Sequence, residues 1–315
     1  FTTKQGLIFR MADSPITSSS LSDHLKTLIT QYPLPHHWLT QLMYILTRAR
    51  LPAWKKWQIR WFIKRYQVDM GIALESDPLA YPDFNTFFTR ALKPGARPIV
   101  HGPGDIACPV DGAVSQAGDI VDGRIFQAKG HDYSLETLLG GSPERAALFA
   151  GGRYATIYPS PKDYHRIHMP LTGRLQEMAY IPGRLFSVNP RTTRYVPGLF
   201  ARNERLVTIF DTPAGPMALI LVGALFVAGI ETVWSGLINP HPSTTPQTWN
   251  YRDSPIMLEH GAEMGRFNMG STVIVLFGAD CVDFAATLQP DTPVNMGQLM
   301  GTFSPAGWAE ERNPA

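Results

Sequence analysis

Apolar residues follow two rhythms along this chain. In the first, Trp38, Leu42, Ile45 and Leu46, and again Trp54, Trp57 and Trp61, recur at the spacing of one helical face. Pro33, Pro35 and Pro52 divide that region into short helices. Another short helix is expected within 81–98, opened by Pro82 or Asp83 and closed at Lys93-Pro94-Gly95. From about Ile106 the rhythm changes to short β-branched runs between turns: 113–115, 125–128, 154–158, 206–210, 218–222 and 273–277. Asp111-Gly112 and Asp122-Gly123 read as hairpin signals. One helix is expected over 134–139, with Ser134 and Thr137 making a partial cap. The apolar stretch 217–230 ends at Glu231, short of the ~20 residues a spanning helix needs. It reads as a buried strand pair broken at Gly223. No internal repeat is visible. These patterns predict an α+β fold: a mainly antiparallel β domain with few helices, preceded by a helical N-terminal region. The expected divisions are 1–23 as a disordered or non-native extension, 24–98 as the helical region and 99–315 as the β-rich domain.

Length and composition allow a real core: 315 residues, 44% of them hydrophobic. The two cysteines, Cys108 and Cys281, form no CxxC pair and no metal spacing, so a reducing compartment is the default. A net charge of +2 gives no support for nucleic acid. Charge placement is more informative. No Asp or Glu occurs from His24 to Val68, while Lys26, Arg48, Arg50, Lys55, Lys56, Arg60, Lys64 and Arg65 do. Basic helices bearing tryptophan suit a membrane interface, where aromatic rings sit at headgroup depth and cations meet anionic lipid. The candidate contacts are Trp38, Trp54, Trp57, Trp61, Arg48, Lys55, Lys56, Arg60 and Lys64. A helical cap with tryptophans packed on the core explains the same stretch equally well. The first methionine is Met11, and the native start is expected there.

The chemistry centres on Gly270-Ser271-Thr272, which immediately precedes the apolar run 273–277. A glycine ahead of a serine leaves its carbonyl uncrowded and tolerates unusual backbone angles, as a serine attacking its own preceding carbonyl requires. A plain turn is the other reading. Asp111 has apolar neighbours in 109–115. His165 and His168 lie three apart in 160–170, and acid–base work suits them because histidine titrates near neutral pH. A metal site lacks further ligands at useful spacing. Asp111, His168 and Ser271 together make a Ser-His-Asp set, without the Gly-x-Ser-x-Gly elbow of an α/β-hydrolase.

Several stretches, in order, resemble the bacterial phosphatidylserine decarboxylases, which are pyruvoyl enzymes: 109–115, 127–136, 160–170, 182–189, 199–205, 229–234 and 263–275. The resemblance extends from the first basic helix to Gln298. One departure is Met269, where the family has Leu, an apolar exchange that leaves the reacting atoms alone. The resemblance implies autocatalytic serinolysis between Gly270 and Ser271. Ser271 attacks with His168 as base and Asp111 behind it, and residue 271 becomes a covalent pyruvoyl group, the Schiff-base site for the substrate amine. It implies His165 as proton donor in decarboxylation and no metal. It further implies phosphatidylserine as substrate and an anionic membrane surface as partner. The two chains are expected to stay associated, peripheral on the cytoplasmic face of the bacterial inner membrane, with no nucleic acid bound. Whether a homodimer forms is left open. Two other classes stay open at this point: a hydrolase using the Ser-His-Asp set on an external ester, and a non-catalytic lipid-binding β domain.

Overall fold

The computed structural model describes residue 32 and residues 36–128, 130–227, 229–238, 244–270 and 272–304. The extension 1–23, Met11 and Lys26 lie outside the described residues. All elements named below belong to one compact unit, Pro35–Ala315.

Three helices come first: α1 (His36–Arg48), α2 (Pro52–Tyr66) and α3 (Phe84–Phe88). Pro52 opens α2, where its missing N–H costs nothing. Lys64 and Arg65 sit in the last turn of α2, where the helix dipole favours cations. Ile59 and Phe62 form its buried face, against Val68, Tyr81, Phe84, Phe87 and Phe88. The Phe62 ring meets those of Phe84 and Phe88 edge-on at 5.1 and 5.9 Å. Each such side chain contributes about 1.5–3 kcal/mol by burial. The opposite face carries Trp57, 56% exposed, and Trp61, 51% exposed. Trp54, Trp57 and Trp61 stack in sequence at 5.1 and 6.3 Å. Trp38 and Ile45 on α1 are each 64% exposed. A cap with its tryptophans in the core therefore describes only Trp54, which is half-buried with its indole N–H donating to the Leu46 carbonyl.

Asp83 caps α3 as expected, accepting from the Thr86 N–H and hydroxyl. The helix stops at Phe88 rather than at Lys93-Pro94-Gly95. Arg90 turns inward there, and Ala73 pairs with Leu92, drawing the chain into an extended run.

The β domain is antiparallel throughout its main sheets. Its labelled strands are β1 (Gly112–Asp119), β2 (Arg153–Tyr158), β3 (Arg166–His168), β4 (Gly173–Ile181), β5 (Arg205–Thr212), β6 (Gly215–Val222), β7 (Ile230–Thr232), β8 (Glu263–Phe267) and β9 (Thr272–Phe277). The large sheet runs Gln247–Asn250, β4, β5, β6, β9, β2, β1, Pro293–Val294. A smaller one runs Gly236–Ile238, β7, β8, β3. β9 is fully buried between β6 and β2, which explains its unbroken Val-Ile-Val-Leu-Phe run. The 217–230 stretch does break at Gly223, but its halves are not partners: β6 lies in the large sheet and β7 in the small one. Asp122-Gly123 makes a tight turn closed by Val121 and Arg124, with both turn residues at positive φ. Asp111-Gly112 is no hairpin. It leads directly into β1, and a side chain at 112 would lie 2.5 Å from the Tyr158 carbonyl oxygen.

The helix expected over 134–139 forms as α4 (Leu135–Leu138), with Ser134 Oγ accepting from the Thr137 N–H.

Candidate active site

The central geometric fact is a joint between two sheets. β8 ends in the small sheet at Phe267 and β9 begins in the large one at Thr272. The linking sequence is Asn268-Met269-Gly270-Ser271. Asn268 is buried and held on three sides. Its N–H donates to the Gly229 carbonyl, its Nδ2 donates to Glu231 (3.0 Å), and its Oδ1 accepts from Asn85 Nδ2 of α3 (2.9 Å). Met269 then takes φ 84° and Gly270 φ 29°. A left-handed methionine costs about 1–3 kcal/mol and persists only when its surroundings over-determine it. Here Met269 packs on the aromatic cluster between α2 and α3. The helical region thus grips the joint twice, through Asn85 and through Met269. A Cβ built on Gly270 would meet nothing within 4 Å, so space is open on the side-chain side of its Cα. Ser271 itself lies outside the described residues. Thr272, next to it, is buried, and its Oγ1 finds no partner among the described residues.

His165 and His168 approach from the segment that becomes β3. His165 immediately precedes the strand, so the two histidines do not share a helical face. His165 is fully buried, its ring 4.2 Å from that of Phe88 on α3. Its carbonyl accepts from Phe267 N–H, tying it to the end of β8. Nδ1 lies 2.8 Å from the Asp163 carbonyl, which can only accept, so Nδ1 carries the proton and Nε2 is a bare lone pair. Among the described residues no partner reaches that Nε2. Burial pushes the imidazole down to about 3, with the Arg90 charge adding to it against the Asp163 hydrogen bond. His168 has Nδ1 on the Gly261 carbonyl (2.7 Å) and Nε2 on the Tyr164 hydroxyl (3.0 Å). Burial lowers its proton affinity, while the Gly261 carbonyl, Glu263 and Asp111 act to raise it.

Asp111 is buried behind this strand, two residues past Pro109, whose carbonyl accepts from His168 N–H. Its carboxylate is taken by Arg97, through Nε at 2.8 Å and Nη2 at 2.5 Å, and by Met296 N–H at 2.8 Å. Asp111 therefore acts on His168 by charge across the strand. The hydrogen bonds of His168 go to Gly261 and Tyr164.

Sequence reasoning missed a polar chain along the small sheet. Arg166 donates to Glu263 (2.8 Å), and Arg266 lies 2.9 Å from Glu263 and 3.6 Å from Glu231, which holds Asn268. Arg166 also donates to the Thr89 carbonyl at the end of α3. It missed as well the roles of Arg97, Tyr164 and Asn85. Strand alternation would set Glu263 and Arg266 on opposite faces, and only the bulge between Glu263 and Gly265 brings them together, so the sequence carried no local signal for this chain. No group of acids, histidines and cysteines suited to a metal occurs among the described residues.

Of the other basic candidates, Lys56, Arg60 and Lys64 are exposed. Lys55 is turned inward, its ammonium donating to the carbonyls of Leu79 (3.0 Å) and Tyr81 (2.7 Å). Arg48 is half-buried and lies over the Tyr44 ring at 3.9 Å.

The class this arrangement defines is a β-rich protein whose candidate site lies where two sheets join and is braced by an N-terminal helical region. Comparison with known proteins is specific. A family model described as phosphatidylserine decarboxylase matches residues 84–302, and a second, described as PSD, matches residues 25–67. The chain is 56% identical over 287 residues to a phosphatidylserine decarboxylase proenzyme of Stutzerimonas stutzeri, covering 90% of this chain and 96% of that one. It is 58% identical over 276 residues to the proenzyme of Pseudomonas putida strain GB-1, covering 87% and 96%. Over 273 residues it is 56% identical to that of Bordetella avium, covering 87% and 93%. The chain belongs to the phosphatidylserine decarboxylase family.

Proposed function

We propose that this chain is a proenzyme that cuts itself between Gly270 and Ser271 and then converts phosphatidylserine to phosphatidylethanolamine and CO2. The observation that carries this reading is the left-handed Met269-Gly270 joint, braced by Asn85 and the aromatic cluster, with the fully buried His165 tied through its carbonyl to Phe267 at the end of β8. In maturation Ser271 Oγ bonds to the Gly270 carbonyl carbon, and the serine proton goes to His168. The peptide C–N bond then breaks, and the nitrogen takes the proton back, leaving an ester. β-Elimination then releases Gly270 as a carboxylate and leaves dehydroalanine at 271, which tautomerises to an imine; water adds to that carbon and ammonia leaves, giving a keto-acyl terminus ahead of Thr272. Asp111 supports His168 by charge, which favours the imidazolium formed in the first step. The new C-terminal chain starts at β9, whose residues pair with β6 from Thr272 to Phe277 and with β2 from Val273 to Phe277. That pairing supports two chains that stay together after the cut.

The pyruvoyl group so formed supplies a ketone for the substrate amine and a sink for the electron pair that CO2 leaves behind. The residues present fit it: Thr272 Oγ1 and His165 Nε2 are buried polar atoms without partners among the described residues. His165 moves the proton. Its Nδ1–H is committed to Asp163, so the proton it delivers to carbon is one that Nε2 has first taken up. Phe88 keeps that face of the imidazole dry.

The substrate lies in a bilayer, and docking uses the outer face of α1 and α2. Trp38, Trp57 and Trp61 are placed to insert, and Lys56, Arg60 and Lys64 to meet anionic headgroups. Trp54, Lys55 and Arg48 brace that face from within. No helix among the described residues is long and apolar enough to cross a membrane. This supports peripheral attachment, which we place at the cytoplasmic face of the inner membrane. The test is Ser271→Ala. It should run as one chain on a denaturing gel and release no CO2 from phosphatidylserine. Two chains from that variant would refute the cleavage site.

A further inference from the structure

Helix α1 is built inside out. Its buried positions are His36, Thr40 and Thr47, all polar. Trp38, Leu42 and Ile45 lie i, i+4 and i+7 along the opposite face, and all three are exposed. A surface helix ordinarily buries its apolar stripe. Here the stripe faces outward, and the polar face meets the β domain: Thr40 Oγ1 accepts from Phe226 N–H at 3.3 Å. Phe226 sits in a tight turn. Val227 N–H donates to the Ala224 carbonyl (2.9 Å), so Leu225 and Phe226 are its central residues. Phe226 takes φ 72°, at the turn position where glycine is usual. Ala224 and Val227 are buried, whereas Phe226 is 39% exposed. Backbone strain thus accompanies an aromatic ring held at the surface.

Both sides of this turn are fixed to the joint. Val222, the last residue of β6, pairs with Thr272, the first of β9. Beyond the turn, the Gly229 carbonyl accepts from Asn268 N–H. Gly223 is pinned as well, its N–H donating to the Glu204 carbonyl (2.8 Å) and its carbonyl accepting from Asn203 Nδ2 (2.9 Å). The turn therefore meets the joint at its base and α1 at its tip. No charged residue occurs from 217 to 230. The helices beside it carry the exposed Lys56, Arg60 and Lys64, with no acid from His24 to Val68. An outward apolar face on an acid-free, cationic segment matches an anionic bilayer. Building on the docking proposed above, we propose that Phe226 inserts among the acyl chains beside α1 and forms the membrane-side rim of the candidate site. Phosphatidylserine then reaches the joint with its chains still in the bilayer. Covering the exposed part of the ring, ~60–100 Å², corresponds to roughly 10- to 60-fold in binding of bilayer substrate.

The experiment has two arms, both on the full chain. In the first, Phe226→Cys in a Cys281→Ser background carries a polarity-sensitive dye, while the buried Cys108 stays unlabelled. On phosphatidylcholine vesicles holding phosphatidylserine, the dye emission should shift to the blue and be quenched by spin labels on the acyl chains. An unshifted dye on protein that floats with the vesicles overturns the proposal. Failure of the wild-type protein to float would instead overturn the docking on which the proposal rests. A blue shift that appears on concentrating the protein without lipid assigns the face to a second copy of the chain and overturns the proposal too. This arm needs no maturation, so it decides the matter if a variant fails to mature. In the second arm, matured Phe226→Gly and Phe226→Trp act on bilayer phosphatidylserine and on a short-chain, detergent-dispersed one. Glycine suits φ 72° and should keep or raise Tm, which separates loss of the ring from loss of the fold. The ratio of bilayer to dispersed turnover should fall roughly 10- to 60-fold in Phe226→Gly and stay within about threefold of wild type in Phe226→Trp. A general defect lowers both rates together, so an unchanged ratio in Phe226→Gly overturns the rim.

Discussion

Changing Trp57 and Trp61 together to alanine tests how the enzyme meets its substrate. Both rings are about half exposed, on the face of α2 opposite Ile59 and Phe62. A tryptophan buries ~150–250 Å² in full, so the exposed halves total ~150–250 Å² for the pair. At ~25 cal/mol/Å², complete insertion is worth ~4–6 kcal/mol. With ~1.4 kcal/mol per factor of ten, even half that insertion predicts vesicle binding weaker by roughly 25- to 150-fold. The fold should lose little, because neither ring is in the core and the lost stacking is worth ~0.5–1.5 kcal/mol per ring pair. Trp54 stays in place, since its N–H ties α2 to the Leu46 carbonyl. The assay is flotation with vesicles containing phosphatidylserine, alongside decarboxylation of bilayer substrate and of a short-chain, detergent-dispersed one. Binding and bilayer activity should fall together while activity on dispersed substrate persists. High salt should weaken wild-type binding by removing the ~1 kcal/mol that each of Lys56, Arg60 and Lys64 adds, without abolishing it. A double variant that floats within threefold of the parent would refute the docking face.

Asp111→Asn and His168→Ala should each slow maturation by ~10²–10⁴-fold, read as chain ratio against time. Wild-type rates in both would remove the pair. His165→Gln should mature normally and then fail to turn over, and normal turnover would remove it as proton carrier. The same variant tests the buried imidazole through stability. Unfolded histidine binds a proton below ~6.5 and the folded His165 only near about 3, so stability falls by ~1.4 kcal/mol per pH unit as pH drops through that window. Between pH 7 and 5 the variant should lose about 2 kcal/mol less than wild type in urea unfolding, and equal losses would contradict the burial. Asn203→Ala strips partners from the Phe186 N–H and the carbonyls of Phe186 and Gly223, all served by one buried amide. At ~0.5–1.5 kcal/mol for each of the three lost hydrogen bonds it should cost about 2–4 kcal/mol, seen as a lowered Tm. A change under about 1 kcal/mol would refute that accounting.

Strands buried on both faces were legible because their periodicity is local: 273–277 appears as β9 to within one residue, and 218–222 is the buried end of β6, which begins three residues earlier at Gly215. The Asp83 and Ser134 caps were legible for the same reason. What sequence could not show was partnership at a distance. Arg97 looked like one more cation after a helix, and only the fold places it on Asp111, fourteen residues on. Lys55 and Trp54 fitted an interfacial helix by composition. Helical spacing alone does not say which turn packs on α3 and which faces water, and the structure turns both inward to carbonyls. Two histidines three apart gave no hint that one would have a bare nitrogen and the other a tyrosine cap. That difference arises from the Asp163 and Gly261 carbonyls, which the folded turn and the pairing of β3 with β8 supply.

Intact-mass measurement of the purified, denatured protein tests self-cleavage most directly. The account predicts two chains. The larger ends at Gly270, and the smaller comprises residues 271–315, lighter by one ammonia than a serine-started fragment, closed to Edman degradation and reactive toward a hydrazide at its ketone. A single chain carrying an intact Ser271, in protein that is active on phosphatidylserine, would contradict it.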